Sequence, residues 1–250
     1  MSDTDSAWVQ RFHPRPQAPV VLACLPHAGG AASYFHPVSA AIGPDVDVLA
    51  IQYPGRQNRR TEPPLRSVEA LADGVTDALA PHADRPLALF GHSMGAMVAY
   101  EVARRLTRAG TPPLTLVASG RRAPSRDRDE NVHRRPDAGV LAEIRGLGGT
   151  EAQLLDDPEI QAMILPAVRA DYEAVETYRH PEGPVLTSPV RVLVGDQDPL
   201  ATLDEARDWK LHTTGDFHLT TYRGGHFYLN EHAPAVIAEI RDHLAALTAR

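Results

Sequence analysis

The stretch PLALFGHSMGAMVAYEVARRL, residues 86–106, joins an apolar run to an amphipathic segment through a turn that carries Ser93 between two glycines. A short apolar run that ends at glycine is typical of a buried strand, and the residues after Ser93 repeat apolar side chains at helical spacing. A serine at the turn between such a strand and such a helix has the setting of a nucleophile elbow, in which the hydroxyl stands above the edge of a sheet. Ser93 is therefore the candidate nucleophile.

Apolar runs like the one before Ser93 recur along the chain and alternate with helical patterns. They predict strands at 20–25, 46–53, 86–91, 114–119, 190–195 and 218–223. Apolar residues at steps of three and four predict helices over about 68–80, 94–108 and 234–248. Near-continuous apolar strands suit a parallel sheet covered on both faces, so the alternation predicts an α/β protein with a mostly parallel, doubly wound sheet. The length suits a single domain spanning 1–250.

About 70 residues separate the strand predicted at 114–119 from the next one, which is far more than one crossover helix requires. The interval opens with the charged stretch GRRAPSRDRDENVHRRPD, residues 120–137, which predicts a mobile, solvated loop. Helices follow, and the clearest begins at Asp157-Pro158. Open α/β sheets bind ligands at the carboxyl edge, so we interpret about 121–185 as an inserted helical lid over that edge. The alternative is a second packing layer with no gating role.

Two residues downstream of Ser93 are suited to make its hydroxyl nucleophilic. A serine needs a neighbouring base, and the base needs a carboxylate to orient it. Asp198 and His226 each follow a predicted strand, in the chain order serine, acid, histidine that a nucleophile elbow requires. Asp196 follows the same strand as Asp198 and is the alternative acid. His92 is adjacent to Ser93, and we expect it to pack or orient, because neighbouring residues of a turn rarely point the same way.

Two backbone amides are expected to stabilise the oxyanion that forms when Ser93 attacks a carbonyl. One is the N–H of Met94, at the start of the helix after the turn. The other belongs to the loop LPHAGGAASYF, residues 25–35, where Ala28 is the first choice and Gly29 the second. The residues expected to contact the substrate are His27, Gly29 and Phe227.

Composition excludes several other classes of function. The net charge of −7 argues against nucleic acid as the main partner, and no apolar run is long enough to span a membrane. The polar, acidic N-terminus is not that of a signal peptide, so we expect a cytoplasmic location. The one cysteine, Cys24, lies in an apolar run and reads as a core thiol. No HExxH, CxxC or P-loop pattern is present, so no metal or nucleotide cofactor is expected.

Five segments also carry a resemblance to a known family. They are LPHAGGAASYF (25–35), IQYPGRQNR (51–59), FGHSMGAMVAYEVARRL (90–106), VLVGDQDPL (192–200) and GGHFYLNEH (224–232). In order and spacing they resemble the stand-alone type II thioesterases of polyketide and nonribosomal peptide biosynthesis, from about Trp8 to the C-terminus. The resemblance implies an α/β-hydrolase fold and an editing enzyme.

The substrate that the resemblance implies is an acyl group on the 4′-phosphopantetheine arm of an acyl or peptidyl carrier protein. The triad carries over as Ser93, Asp198 and His226, with the amides of Ala28 and Met94 as the oxyanion hole. The family implies a monomer without a cofactor that meets its carrier protein only transiently. Arginines in 55–60, Arg59 and Arg60 among them, and in 120–128 are candidates to contact an acidic carrier protein. The alternative is that they are solvated surface side chains.

Two other functions remain open at this point. A carboxylesterase acting on small oxygen esters would use the same triad, so the triad does not discriminate between the two hydrolases. A non-catalytic member of the fold that binds an acyl chain or a protein is the second alternative. Such members usually lack a triad residue, whereas this sequence supplies all three.

Overall fold

The computed structural model describes residues 7–149, 154–183 and 185–249, and within them the chain forms a seven-stranded sheet flanked by helices. The strands lie in the order β1-β3-β2-β4-β5-β6-β7; β1 pairs antiparallel to β3, and every other pair is parallel. Their bounds are β1 Val9–Gln10, β2 Val20–Leu25, β3 Val46–Ile51, β4 Leu87–His92, β5 Thr115–Ser119, β6 Val190–Gly195 and β7 Phe217–Tyr222. The mostly parallel α/β fold is thereby confirmed.

Helices cover both faces of this sheet. They are α1 His36–Ala41, α2 Val68–Leu79, α3 Met94–Arg108, α4 Asp137–Leu147, α5 Pro158–Thr177, α6 Leu203–Arg207, α7 Tyr228–Glu231 and α8 Ala233–Thr248. The apolar stripes of α2 and α3 pack in one buried cluster on one face, and α8 packs in a second cluster on the other face. Strands β2, β3 and β4 are buried along their whole length, because both of their faces are covered. The sheet is therefore doubly wound, as predicted.

The strand order places a crevice at one end of the sheet. From β2 the chain moves to β3 on one side, and it later crosses over to β4 on the other side of β2. The loops that follow β2 and β4 consequently turn away from each other at the carboxyl ends of these strands. Ligands bind at such a switch point in open α/β sheets. Ser93, which follows β4, lies at this point.

The long interval between β5 and β6 holds α4 and α5. These helices share a small apolar cluster of their own, formed by Val132, Val140, Leu141, Leu155, Leu165 and Val168. Asp157 caps α5 by accepting a hydrogen bond from the Glu159 N–H at 2.8 Å, and the helix continues through Pro166. The C-terminal half of α5 joins the main core through Ala174 and Val175.

The charged stretch 120–137 differs from the solvated loop that its composition predicts, because its first residues are buried. Arg122 makes a bidentate ion pair with Glu130, at 3.0 and 2.6 Å, and the Arg121 carbonyl accepts a hydrogen bond from the Trp209 indole at 2.8 Å. Arg128 pairs with Glu205, 77 positions later in the chain. Arg122 and Arg128 are thus paired, and residues 121–124 at the start of the segment are buried.

Arg59 is likewise less exposed than the sequence predicts. Its guanidinium is buried, donates to the Gln52 carbonyl at 2.9 Å and lies over the Trp8 ring at 4.5 Å. The interpretation of Arg59 as a solvated surface side chain is therefore wrong, and the same holds for Arg121 and Arg122. Arg60 is exposed.

The strands and helices differ from the sequence prediction in three smaller ways. Strand β3 ends at Ile51, two residues earlier than predicted, and β7 runs over Phe217–Tyr222. The two-residue strand β1 and the short helices α1, α6 and α7 carry too little periodicity to be predicted. In the described part of the chain, we find no helix with the length and apolar character needed to cross a membrane.

Candidate active site

The backbone at Ser93 has an unusual conformation that its two glycine neighbours make possible. Ser93 lies between β4 and α3 with φ 55° and ψ −117°, a region that non-glycine residues rarely adopt. A Cβ at Gly91 would lie 2.1 Å from the Gly95 carbonyl oxygen, and a Cβ at Gly95 would lie 2.1 Å from that of Leu25. Strand and helix can meet this closely only with glycine at both positions, and the sharp turn is the geometry of a nucleophile elbow.

Ser93, His226 and Asp198 form a continuous chain of hydrogen bonds. The Ser93 hydroxyl lies 2.9 Å from His226 Nε2, and His226 Nδ1 lies 2.9 Å from Asp198 Oδ2. All three residues are buried, with only small fractions of their surfaces exposed. If the imidazole is neutral with its proton on Nδ1, it donates to Asp198 and leaves Nε2 free to accept the serine proton. The structure thus brings together the three side chains predicted for the triad.

The acid beside His226 is Asp198, while Asp196 has a different contact. Asp198 Oδ1 also accepts a hydrogen bond from the Leu200 N–H at 2.8 Å, which fixes the carboxylate in its turn. Asp196 is exposed and accepts from the Gly224 N–H at 2.9 Å. It therefore ties the turn after β6 to the loop that presents His226.

His92 packs beside the triad and is not part of it. Its Nδ1 lies 2.9 Å from the Ser119 hydroxyl, which in turn lies 2.7 Å from the Tyr228 hydroxyl. Burial lowers the pKa of His92 well below its ordinary value, and the neighbouring His226 adds to the effect. Such an imidazole stays neutral at physiological pH and fills the space behind the His226 ring.

His27 is a second neutral imidazole at the site. Burial lowers its pKa to about 3, with smaller contributions from His226 and Arg56. Its ring packs edge-on against Phe227, with 4.8 Å between ring centroids. His27 and Phe227, both predicted to contact the substrate, thus form one aromatic wall beside Ser93.

Ala28 and Met94 line the same cavity as Ser93, whereas the Gly29 amide is engaged elsewhere. The Gly29 N–H donates to Asp171 Oδ2 at 2.7 Å, which removes it as an oxyanion donor. Over the residues that the structure describes, the Ala28 and Met94 N–H groups have no hydrogen-bond acceptor. The Met94 amide also begins α3, where the helix dipole favours negative charge.

A cavity of about 180 Å³ opens onto Ser93 and is enclosed by two parts of the chain. The sheet edge contributes His27, Ala28, Ser93, Met94, Leu200, His226 and Phe227. The interval between β5 and β6 contributes Arg121, Glu130, Val132, Arg135, Glu143, Leu147, Tyr172, Val175 and Glu176. Gly29 does not line this cavity, contrary to expectation, because its Cα faces Val168 of α5, where a Cβ would lie 2.8 Å from Cγ2.

Sequence reasoning missed a buried ion pair that joins α5 to the loops after β2 and β3. Asp171 Oδ1 accepts from Arg56 Nη2 at 2.7 Å while its other oxygen holds the Gly29 N–H. Burial raises the pKa of Asp171, and Arg56 and the Gly29 N–H oppose that effect. Arg56 lies in the YPGR segment, but nothing in the sequence around Asp171 marks it, because the pairing spans 115 positions. Within the described ranges, no cluster of histidine, cysteine or acidic side chains could hold a metal.

Comparisons with known proteins point to one family. The model of the thioesterase domain family matches residues 21–244. The thioesterase PikA5 of Streptomyces venezuelae is 52% identical over 239 residues, which cover 95% of this chain and 85% of that protein. A probable cadicidin biosynthesis thioesterase of Streptomyces griseus is 50% identical over 242 residues, or 97% of this chain and 67% of that protein.

One solved structure resembles this chain in sequence about as closely as these two relatives do, and it has the same fold. The type II thioesterase BorB from the borrelidin biosynthetic cluster has a TM-score of 0.90 and 49% identity, and the match covers 96% of this chain and 98% of that one. The α/β-hydrolase fold and the hydrolase class predicted from the sequence are thereby confirmed. The chain belongs to the thioesterase domain family, among the type II thioesterases of polyketide and nonribosomal peptide biosynthesis.

Proposed function

We propose that this thioesterase removes acyl groups from the phosphopantetheine arm of acyl or peptidyl carrier proteins, as an editing or release step. The observation that supports this most directly is the hydrogen-bonded chain Ser93–His226–Asp198 at the mouth of an enclosed cavity. The resemblance to type II thioesterases supplies the carrier-bound thioester as substrate.

The first half of the reaction acylates Ser93. Its oxygen attacks the thioester carbonyl carbon while His226 Nε2 takes the hydroxyl proton, and Asp198 stabilises the resulting imidazolium. The amides of Ala28 and Met94 hold the oxyanion, and removing one such donor typically costs about 3 kcal/mol. When the carbon–sulfur bond breaks, His226 returns the proton to the departing sulfur. The pantetheine thiol leaves, and the acyl group remains as an ester on Ser93.

The second half hydrolyses that ester. A water molecule attacks the ester carbonyl while His226 takes one of its protons, and the same two amides hold the second oxyanion. The carbon–oxygen bond to Ser93 then breaks, and His226 returns the proton to the serine oxygen. The products are the free carboxylic acid and the original enzyme.

We propose that α4 and α5 act as a lid over this reaction. They roof the cavity on the side away from the sheet, and residues of the interval between β5 and β6 form more than half of its lining. The width between this roof and the sheet edge would then set the size of the acyl group that fits. The predicted range of about 121–185 includes both helices.

The test is deacylation of acyl-carrier protein, followed by mass spectrometry of the carrier. The wild-type enzyme should remove the acyl group, and Ser93→Ala should leave it in place. Ser125→Ala, which changes an exposed serine outside the cavity, is the matched control and should retain activity. Deacylation that persists in Ser93→Ala would refute the mechanism. A higher kcat/KM for a matched oxygen ester than for the thioester would instead favour a carboxylesterase.

A further inference from the structure

His27, in the loop after β2, lines the active-site cavity with a ring that has no hydrogen-bond partner among the described residues. Three other rings pack edge-on against it, with centroid distances of 4.7 Å to Tyr34, 4.8 Å to Phe227 and 5.9 Å to His92. These contacts hold the ring in place but offer it no acceptor, and its Nδ1 is buried without a partner. Buried polar atoms are nearly always hydrogen-bonded, so an unpaired imidazole at a cavity indicates a ligand.

The two nitrogens of this ring have different surroundings. The edge that carries Nδ1 lies against its own loop, where a Cβ at Gly30 would be 3.0 Å from Nδ1 and 2.9 Å from Cε1. The ring keeps part of its surface exposed, and it shares the cavity with Ser93 and His226. Because Nδ1 is enclosed, Nε2 is the nitrogen that can reach a bound molecule.

The proton of the ring belongs on this second nitrogen. Burial lowers the pKa of His27 to about 3, with smaller contributions from His226 and Arg56, so the ring is neutral and carries a single N–H. An N–H at Nδ1 would be enclosed with no acceptor, whereas an N–H at Nε2 can donate into the cavity.

The acidic side chains of the cavity do not accept this N–H. Three carboxylates line the cavity, and each is engaged by another residue of the interval between β5 and β6: Glu130 by Arg122, Glu143 by Arg135, and Glu176 by the Val132 N–H and His133. The His27 N–H thus has no acceptor among the residues that the structure describes.

His27 lies on the side of the site from which the thiol departs. In the proposed reaction His226 returns a proton to the sulfur, so the departing arm passes this residue. Phe227, the next residue of the chain, packs against both imidazoles, with centroid distances of 5.2 Å to His226 and 4.8 Å to His27. The pantetheine arm carries an amide two carbons from its sulfur, and the carbonyl oxygen of that amide is a hydrogen-bond acceptor.

We propose that His27 determines the preference of this thioesterase for the departing thiol, by donating a hydrogen bond from Nε2 to the first amide carbonyl of the pantetheine arm. This rests on the proposed function of the cavity. The contact recognises the thiol part of the substrate, so it is available whatever acyl group the arm carries. Thioesters of simple alkyl thiols lack the carbonyl and leave the N–H unpaired.

Three butyryl thioesters that differ only in the thiol test this contact. Their thiol parts are N-acetylcysteamine, a 4-oxopentyl group that keeps the carbonyl without the amide N–H, and a pentyl group that has neither. We expect the wild-type kcat/KM for each of the first two, relative to the pentyl thioester, to exceed the same ratio in His27→Phe by about fivefold. This is the value of one hydrogen bond between neutral groups.

Two further variants test which nitrogen is involved. His27→Gln should keep part of the preference, because its terminal amide nitrogen can replace Nε2, whereas the shorter His27→Asn should lose it. His36→Gln, at an exposed histidine outside the cavity, should keep the wild-type ratios. A loss of the same size for all three thioesters in His27→Phe would show that His27 acts on the acyl group or the oxyanion, and it would overturn the proposal.

Nitrogen-15 NMR of the histidine side chains tests the same contact without turnover. The probe is N-acetyl-S-butylcysteamine, a thioether that the enzyme cannot hydrolyse, and butyl pentyl sulfide is its control. The His27 signals are assigned by their loss in His27→Gln. We expect a neutral ring protonated at Nε2, whose resonance shifts with the amide thioether and not with butyl pentyl sulfide.

A proton on Nδ1, or the same response to both sulfides, would refute the role of His27. Failure of the wild-type enzyme to hydrolyse any thioester would instead count against the proposed function. The NMR measurement separates these two results, because it requires no reaction.

Discussion

Ser93, Asp198 and His226 come from the ends of three different strands, and each is held by contacts of its own. The elbow fixes Ser93, the Leu200 N–H fixes Asp198, and the Asp196 contact with Gly224 fixes the loop of His226. The two aspartates therefore have separable tasks. We expect Asp198 to set the tautomer of His226 and to stabilise its charged form, and we expect Asp196 only to position the loop.

Substitution of each aspartate by asparagine should show this difference. Asp198→Asn should lower kcat by about 10⁴, because an amide favours the wrong tautomer of His226. Asp196→Asn should lower it far less, since the asparagine oxygen can still accept from Gly224. Steady-state thioester hydrolysis by both variants measures the two losses. Equal losses would contradict the assignment of Asp198.

For individual residues, the sequence predicts the candidate triad but not the burial of the arginines. The order serine, acid, histidine and the position of each residue after an apolar run are visible in the sequence. The choice between Asp196 and Asp198 depends on which side chain faces His226, which sequence leaves open. Arg59, Arg121 and Arg122 lie in charged segments, and charge alone suggests solvent exposure. Their burial depends on packing against residues that composition does not reveal.

The element that most affects the site from outside the triad is α5. Asp171, on this helix, accepts a hydrogen bond from Gly29, the residue after Ala28, and pairs with Arg56. One carboxylate therefore joins α5 to the loop after β2 and to the loop after β3. The strands and core helices could be predicted from periodicity, but this contact could not, because nothing in the sequence pairs α5 with a loop more than 100 residues away.

Loss of the Asp171 carboxylate should affect both stability and catalysis. Asp171→Ala should lower the free energy of unfolding by about 3 kcal/mol or more, because it leaves Arg56 buried and unpaired. It should also lower kcat, because Gly29, the residue after Ala28, loses the hydrogen bond that holds its backbone in place. Urea unfolding and steady-state kinetics measure the two effects.

The matched control lies on the same helix. Glu173 pairs with Arg66 at the surface, and Glu173→Ala should change stability by less than about 1 kcal/mol. It should leave kcat unchanged. The role of the Asp171 contact would be refuted if both substitutions had the same small effect.

Across the whole molecule, the buried His27 and His212 and the paired Glu205 make stability depend on pH in the same direction. Burial lowers the pKa of His27 to about 3 and that of His212 to about 4. The pKa of Glu205 is lowered to about 2, because burial, which acts the other way, is outweighed by its hydrogen bonds with Arg128 and Thr202. The unfolded chain binds these protons at higher pH than the folded chain does. The stability that these three groups contribute is therefore fully present above about pH 6.5 and declines as the pH falls.

His212 offers a test of this pH dependence. It is buried between Tyr100 and Ser125, and between pH 6.5 and 4 it should contribute a slope of at most about 1.4 kcal/mol per pH unit. Urea unfolding from pH 7.5 to 4.5 should give a shallower loss of stability for His212→Gln than for the wild type. His218→Gln, at an exposed position, should follow the wild type. An unchanged slope in His212→Gln would show that this imidazole does not contribute.

In the proposed mechanism, Ser93 carries the acyl group between the two halves of the reaction. Rapid acid quenching of the enzyme with butyryl-pantetheine, followed by peptide mass spectrometry, measures this directly. We predict that the peptide containing Ser93 gains the mass of one butyryl group, and that Ser93→Ala shows neither the adduct nor turnover. Turnover that continues in Ser93→Ala, or an acyl group found on another residue, would contradict a covalent intermediate on Ser93.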